Sequence, residues 1–257
     1  MNKILIKLSG KCIENFLIDN CWMDLIGEEI CGGYKIIIVH GAGKMITEWA
    51  NLMGIESKFF NGQRITDDKM MDIVAAVQGG LYNAKIVARL NAMGFAAVGL
   101  SGIDGNSFVA DYSNPQLGKV GEPKLYGSVE WIDMLLSRNI IPVFSSVCRD
   151  SNGALMNVNA DVFSNSIAQA LKIDRVYFFS DIQGVIIDGV SKNKISKNEI
   201  YQGIKNGCIT DGMIPKLLSC VDLLEKGVDK IWIGSKLKKE NENDQSSSNG
   251  TWIVHSN

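Results

Sequence analysis

Five short segments set charged or amide side chains beside glycine turns. Lys7 interrupts the apolar run Ile4–Leu8. Burying an ammonium is costly unless an anion faces it, either a carboxylate or a ligand phosphate; the alternative is an edge-strand lysine snorkelling to water. Val39-His40-Gly41-Ala42-Gly43 runs straight into a helical pattern, and such a strand, glycine turn and helix N-terminus offers free N–H groups to an anion. It is neither a P-loop nor G-x-G-x-x-G, because Ile46 stands where the third glycine would be. Asn61-Gly62-Gln63-Arg64-Ile65-Thr66-Asp67 puts Arg64 beside a turn, ahead of a helix that Thr66 or Asp67 can cap. Arg64 then points out of that turn, either to bind a carboxylate with its two-pronged guanidinium or as a plain surface arginine. In Leu155-Met-Asn157-Val-Asn159-Ala-Asp161 the two asparagines share one face and Asp161 opens a helix; a simple turn with an Asp cap is the competing reading. In Ile209-Thr-Asp-Gly212-Met-Ile-Pro215-Lys216, Pro215 suits a first helical turn. Lys216 there is favourable only with an anion close by.

Two lysines, one aspartate, an arginine, two asparagines and glycine turns at helix starts make a coherent inventory. It lacks an acid–base histidine partnered to a Ser or Cys nucleophile. It suits phosphoryl transfer, in which the protein mainly positions the reactants and stabilises charge on the group in flight.

Elements able to hold these residues alternate along the chain. Strands are expected at Ile4–Leu8, Lys35–His40, Ala96–Ser101, Ile140–Ser146, Arg175–Ser180 and Lys230–Gly234, each apolar on both faces. Helices are expected at Lys44–Met53, Lys69–Met93, Val129–Ser137, Ala160–Leu171 and Met213–Lys226. The alternation predicts an α/β fold: a three-layer α/β/α sandwich with a mainly parallel central sheet. Asn106–Tyr126 reads as a β-hairpin excursion, either a lid or subunit-facing flap or a plain surface hairpin. Lys236–Gly250 reads as a solvated, mobile loop leading to a final edge strand at Thr251–Val254.

The chain has 257 residues, 46% hydrophobic, with 26 basic and 28 acidic side chains and a net charge of −2. That balance gives no electrostatic footprint for nucleic acid or an acidic membrane surface. No apolar run approaches the roughly 20 residues of a membrane span, and the start does not read as a signal peptide, so the cytoplasm is expected. Six cysteines and two histidines are scattered without metal-site spacing, so neither a metal site nor a disulfide is expected.

The motifs KLSG (Lys7–Gly10), HGAG (His40–Gly43), NGQRITD (Asn61–Asp67), GLSGIDG (Gly99–Gly105), LMNVNAD (Leu155–Asp161), SDIQGV (Ser180–Val185) and ITDGMIPK (Ile209–Lys216) occur in this order over nearly the whole chain. In this combination the sequence closely resembles the N-acetylglutamate kinases of the amino acid kinase family. The resemblance implies transfer of the ATP γ-phosphoryl group to the side-chain carboxylate of N-acetyl-L-glutamate, as in arginine synthesis. It implies that Lys7 and Lys216 neutralise the moving group, that Asp161 holds both lysines, and that Gly10 and Gly43 bind phosphoryl oxygens through their N–H groups. Ala42, Gly43, Arg64, Asn157 and Asn159 would hold the acylated amino acid. Ser180, Asp181, Ile182, Gln183, Gly184, Val185, Cys208, Ile209 and Thr210 would hold ATP, with Mg2+ kept mainly by phosphates. One kinase domain, 1–257, is implied, with an acyl-amino-acid and dimerisation lobe at about 1–172 and an ATP lobe at about 173–257. HGAG departs from the commoner HGGG, so Ala42 must avoid positive φ. Only six residues precede Lys7, and the resemblance then implies a homodimer not inhibited by arginine. A kinase for N-succinylglutamate or carrier-linked aminoadipate is the alternative substrate reading, and an inactive ligand-binding paralogue the alternative class.

Overall fold

Eight strands form the central sheet of the computed structural model, which describes residues 1–187, 189–210, 213–236 and 249–255. In chain order they are β1 (Lys3–Leu8), β2 (Lys35–His40), β3 (Ala97–Ser101), β4 (Ile141–Ser145), β5 (Arg175–Phe179), β6 (Lys194–Ser196), β7 (Lys230–Lys236) and β8 (Asn249–Val254). They lie side by side as β6-β8-β7-β5-β1-β2-β4-β3, all neighbours parallel except the antiparallel pair β7–β8. Among the described residues nine α-helices accompany them: α1 (Gly10–Ile18), α2 (Cys21–Cys31), α3 (Gly43–Leu52), α4 (Asp68–Val74), α5 (Asn83–Ala92), α6 (Glu130–Ser137), α7 (Ala160–Ala170), α8 (Lys197–Lys205) and α9 (Met213–Glu225).

Each central strand is apolar on both faces because each face carries its own core. On one side Ile4, Ile6 and Leu8 of β1 pack with Phe16, Trp22, Met45 and Ile86 from α1, α2, α3 and α5. On the other, Leu5 packs with Val39, Phe163, Ile167, Leu217 and Val221, the last four including the inner faces of α7 and α9. This is the expected three-layer sandwich. Side chains alternate across a strand, so Lys7 follows Leu5 onto the α7–α9 face.

Five of the predicted strands match within two residues at each end, and β2 matches at both ends. Three features differ. Helices α1, α2 and α8 were not expected, and the predicted helix Lys69–Met93 is α4, a π-helical segment (Ala75–Tyr82) and α5 in succession. The last strand is not at the edge, since β8 lies between β6 and β7. The predicted mobile loop falls largely on 237–248, outside the described residues. The expected hairpin is present as antiparallel strands Phe108–Tyr112 and Gly121–Leu125, tied back by Phe108, whose ring meets Phe163 of α7 edge-on at 5.3 Å.

His40 ends β2 and is fully buried. Asn83 Nδ2 donates to its Nε2 at 3.0 Å, and its Nδ1 lies 3.2 Å from the Gly41 carbonyl. That pairing selects the neutral tautomer with Nδ1–H donated to Gly41, which anchors the glycine turn. Burial pushes the imidazole pKa down from 6.5 to about 4. The unfolded chain therefore binds a proton here that the fold resists, so this contribution to stability is whole above pH 6.5 and is lost as pH falls toward 4. Through His40 the fold should lose about 2–3 kcal/mol between pH 7 and pH 4.5. Urea unfolding at the two pH values should show a clearly smaller loss for His40→Gln than for the unsubstituted protein; equal losses would contradict the assignment.

Candidate active site

The carboxyl ends of β1, β2 and β4 open onto a cavity of about 250 Å3, where a parallel sheet presents its ligands. Its wall includes Lys7, Gly10, Ala42, Gly43, Arg64 and Asp161. Lys7 is 6% exposed, and its Nζ lies 2.6 Å from Asp161 Oδ1. The pair resolves the question raised by a lysine inside an apolar strand: the partner is a carboxylate brought in by the second residue of α7.

Burial alone would raise the Asp161 carboxyl. The Lys7 ammonium, through charge and hydrogen bonding, and the charge of Lys216 outweigh it and hold the group below the usual carboxylate range. Lys216 has no ion-pair partner within 4 Å among the described residues. It lines a second cavity of about 270 Å3 together with Asn159, Asp161, Phe178 and Pro215. Asp161 and Asn159 are thus the partition between two cavities, with Lys7 on one side and Lys216 on the other.

Two helices point at the first cavity with their N-termini uncapped by side chains. At α1 the Ser9 hydroxyl turns away to Cys12 Sγ, and at α3 the capping position is Ala42, which has nothing to offer. Of the other helices, α2 and α6 also lack a bond from the side chain at the capping position, while at α4 Asp67 accepts from Met70 N and at α8 Ser196 with Glu199 forms a capping box. The two bare ends also touch. A Cβ on Gly10 would come within 3.1 Å of Gly43 N, so only glycine leaves that N–H accessible. Ala42 sits at φ −151°, and the alanine in place of glycine causes no strain. Bare N–H groups at two helix starts, beside a lysine, form a cradle for a multiply charged anion.

Arg64 differs from the sequence expectation. It is buried and turned inward, donating to the Gly43 carbonyl at 2.8 Å, to Thr47 Oγ1 at 2.8 Å and to Ser57 Oγ at 2.6 Å, and it stacks on the Phe59 ring at 4.8 Å. The burial lowers its pKa from the ordinary value. It remains a cation on the cavity wall, fixed in orientation. Asn157 also lines the cavity, with its Nδ2 donating to Thr66 Oγ1 at 3.1 Å. Asn159, not Asp161, caps α7, its Oδ1 accepting from Asp161 N at 2.8 Å.

The expected nucleotide-binding residues line neither cavity. Ser180 is buried with its Oγ unpartnered among the described residues. Asp181 is exposed and paired with Lys11 of α1, which with the charge of Lys216 holds its carboxyl low. Ile182 packs against the α7–α9 core, and Val185 and Ile209 are built into it. Gln183 accepts from Ser191 Oγ at 3.4 Å. Gly184 takes φ +95°, where a Cβ would strike Thr251 Oγ1 at 2.6 Å. Cys208 donates its N–H to the Gly203 carbonyl at 2.9 Å, and the Thr210 carbonyl accepts from Met213 N at 3.2 Å. The Ser180–Val185 segment follows β5, which lies beside β1 with Phe178 opposite Lys7.

Two wall residues carried no sequence signal: Gln78, from the π-helical segment, and Ser146, just past β4, joined at 3.0 Å. Gln78 sits among apolar neighbours in a helical pattern, and only its burial marks it.

The Amino acid kinase family matches residues 2–235. The chain is 41% identical over 198 residues to an acetylglutamate kinase of Campylobacter hominis, covering 76% of this chain and 70% of that one. It is 37% identical over 231 residues to one of Nostoc punctiforme, covering 88% and 77%. The solved structure of smu.665 from Streptococcus mutans UA159 superimposes with a TM-score of 0.83 at 25% identity, covering 99% of both chains. The family match and the identities to these relatives agree: the chain belongs to the amino acid kinase family.

Proposed function

We propose that the protein transfers the γ-phosphoryl group of ATP to the side-chain carboxylate of N-acetyl-L-glutamate, giving N-acetyl-glutamyl 5-phosphate. The observation that carries the reading is the Lys7–Asp161 pair at 2.6 Å, with Lys216 across the same aspartate and two bare helix ends beside it. A carboxylate oxygen attacks the γ-phosphorus, the bond to the β,γ-bridging oxygen breaks, and ADP leaves with that electron pair. Charge on the passing phosphoryl group faces Lys7, Lys216 and the N–H groups of Gly10 and Gly43, and no proton need move. Arg64 and Asn157 supply the cation and the amide that the α-carboxylate and acyl group require, with Ala42 and Asn159 completing the wall.

The nucleotide would enter over β5 and the start of α9, with Ser180–Val185 and Cys208–Thr210 around it. On this reading residues up to about 172 hold the acyl amino acid and those from about 173 hold ATP. Asp161 and Asp181 each already face a lysine, so magnesium arriving with ATP fits this site when held by phosphate oxygens, where it would supply charge neutralisation.

Acetyl is favoured over succinyl by the cavity's charges. Its lining cations are Lys7, committed to Asp161, and Arg64; a third carboxylate would be left without one. A homodimer is supported by the sheet, which among the described residues ends at β3, an edge that a second copy can continue. No described helix is long and apolar enough to cross a membrane, and the reading places the enzyme in the cytoplasm with its ATP.

Lys216→Ala should cut turnover by about 10²–10³-fold while nucleotide binding, measured by calorimetry, stays within a few-fold; unchanged turnover sinks the kinase reading. ATP consumption should be much faster with N-acetylglutamate than with N-succinylglutamate, and the reverse order would reassign the substrate. Light scattering should give twice the monomer mass; a monomer at working concentration would remove the dimer.

A further inference from the structure

One turn below the charged residues, helices α7 and α9 are joined by a single side-chain hydrogen bond: Asn165 Nδ2 donates to Ser219 Oγ at 2.5 Å. It is the only hydrogen bond between these two helices among the described residues. Asn165 follows Asp161 by four residues and Ser219 follows Lys216 by three, the spacings at which helical side chains share a face. The bond therefore lies directly beneath Asp161 and Lys216, and Ser219 lines the cavity that separates them.

We infer that Asn165 is a positioning residue, acting through Ser219 to hold α9 at the separation from α7 that brings Lys216 to bear on the transferring phosphoryl group. Two observations favour this over ordinary packing. Lys216 has no ion-pair partner within 4 Å among the described residues and stands beside an open cavity of about 270 Å3, so its own side chain does not fix where it stands; the helix under it must. The Asn165 Oδ1 is buried without a partner among the described residues. An unsatisfied buried carbonyl is destabilising, and an apolar residue would join the helices without it; what the amide adds is a directional link. Lys7, by contrast, needs no such device, since the sheet holds its backbone and Asp161 its ammonium.

The inference rests on Lys216 serving the transfer, so its test must fail separately from that reading. Asn165→Ala should lower kcat about tenfold, the scale expected when a charged group is displaced by a fraction of an ångström, with KM for the acyl acid unchanged. Ser219→Ala should do the same, the double substitution should cost no more than either alone, and Ser219→Thr, which keeps the acceptor, should restore turnover. The deciding measurement repeats Asn165→Ala in a Lys216→Ala background, where no cation is left at 216 to position. If Asn165 acts through Lys216, kcat falls no further there; an undiminished tenfold fall, or a loss shared equally by KM, assigns Asn165 to packing alone and overturns the inference. Should Asn165→Ala fail to fold, Ser219→Ala removes the same bond from the other helix and is read identically. Full activity of Lys216→Ala would instead defeat the kinase reading and, with it, the premise of this inference.

Discussion

An ammonium placed inside a parallel strand governs this molecule. β1 lies at the centre of the sheet, β2 on one side and β5 on the other, so Lys7 cannot reach bulk water along an edge. A buried cation without a counter-charge is among the costliest features a fold can carry. The geometry of α7 answers that demand, with Asn159 fixing the helix start by accepting from the Asp161 N–H, and Asp161 then meeting Lys7 at 2.6 Å. The carboxylate stays charged because the lysines outweigh its desolvation. An uncompensated positive region remains just outward of the pair, where Gly10 and Gly43 present their N–H groups.

The distribution of helix caps carries the same logic. A cap satisfies the free N–H groups of a first turn, and the chain uses Asp67, Asn159 and Ser196 that way. Of the helix starts without a side-chain cap, at α1, α2, α3, α5 and α6, those of α1 and α3 face the cavity beside Lys7. Leaving them bare costs stability in the free protein and keeps the donors for an anion. Preorganised donors of this kind need little rearrangement when charge develops. Arg64 is set by the same economy: the Gly43 carbonyl that accepts from it belongs to the turn whose N–H faces the cavity, so one short segment fixes both cation and amide.

Most of this was legible in the sequence where a residue type contradicted its surroundings. Lys7 in an apolar strand, Asp161 behind two asparagines, and Lys216 at a helix start each announced a missing anion or cation. Strands were legible because burial on both faces leaves unbroken apolar runs. What escaped reading was set by tertiary context. Helix α1 begins at the glycine that also ends the strand signal, and its short apolar stripe, Ile13 and Phe16, gives barely two turns of pattern. The π-helical segment at Ala75–Tyr82 shifts the helical phase and carries Gln78 onto the cavity wall, so its polarity looked like surface. Arg64 read as outward because nothing local reveals that Phe59, Ser57 and Thr47 converge on it. β8 inserts between β6 and β7, a choice made by partners distant in sequence.

The two lysines differ in what each asks of the fold. Lys7 and Asp161 depend on one another for burial, so loss of either leaves a charge unanswered and disturbs structure and chemistry together. Lys216 stands on a helix start, where the dipole opposes a cation, and the described carboxylates that feel its charge, Asp161 and Asp181, are already answered by Lys7 and Lys11. Its charge is therefore the less satisfied of the two, held in place by the helix beneath it and free to strengthen its interactions when a phosphoryl group arrives. A group stabilised more in the transition state than in the resting enzyme is what accelerates a reaction. By that criterion Lys216 should contribute to rate more directly than Lys7, whose attraction is already engaged.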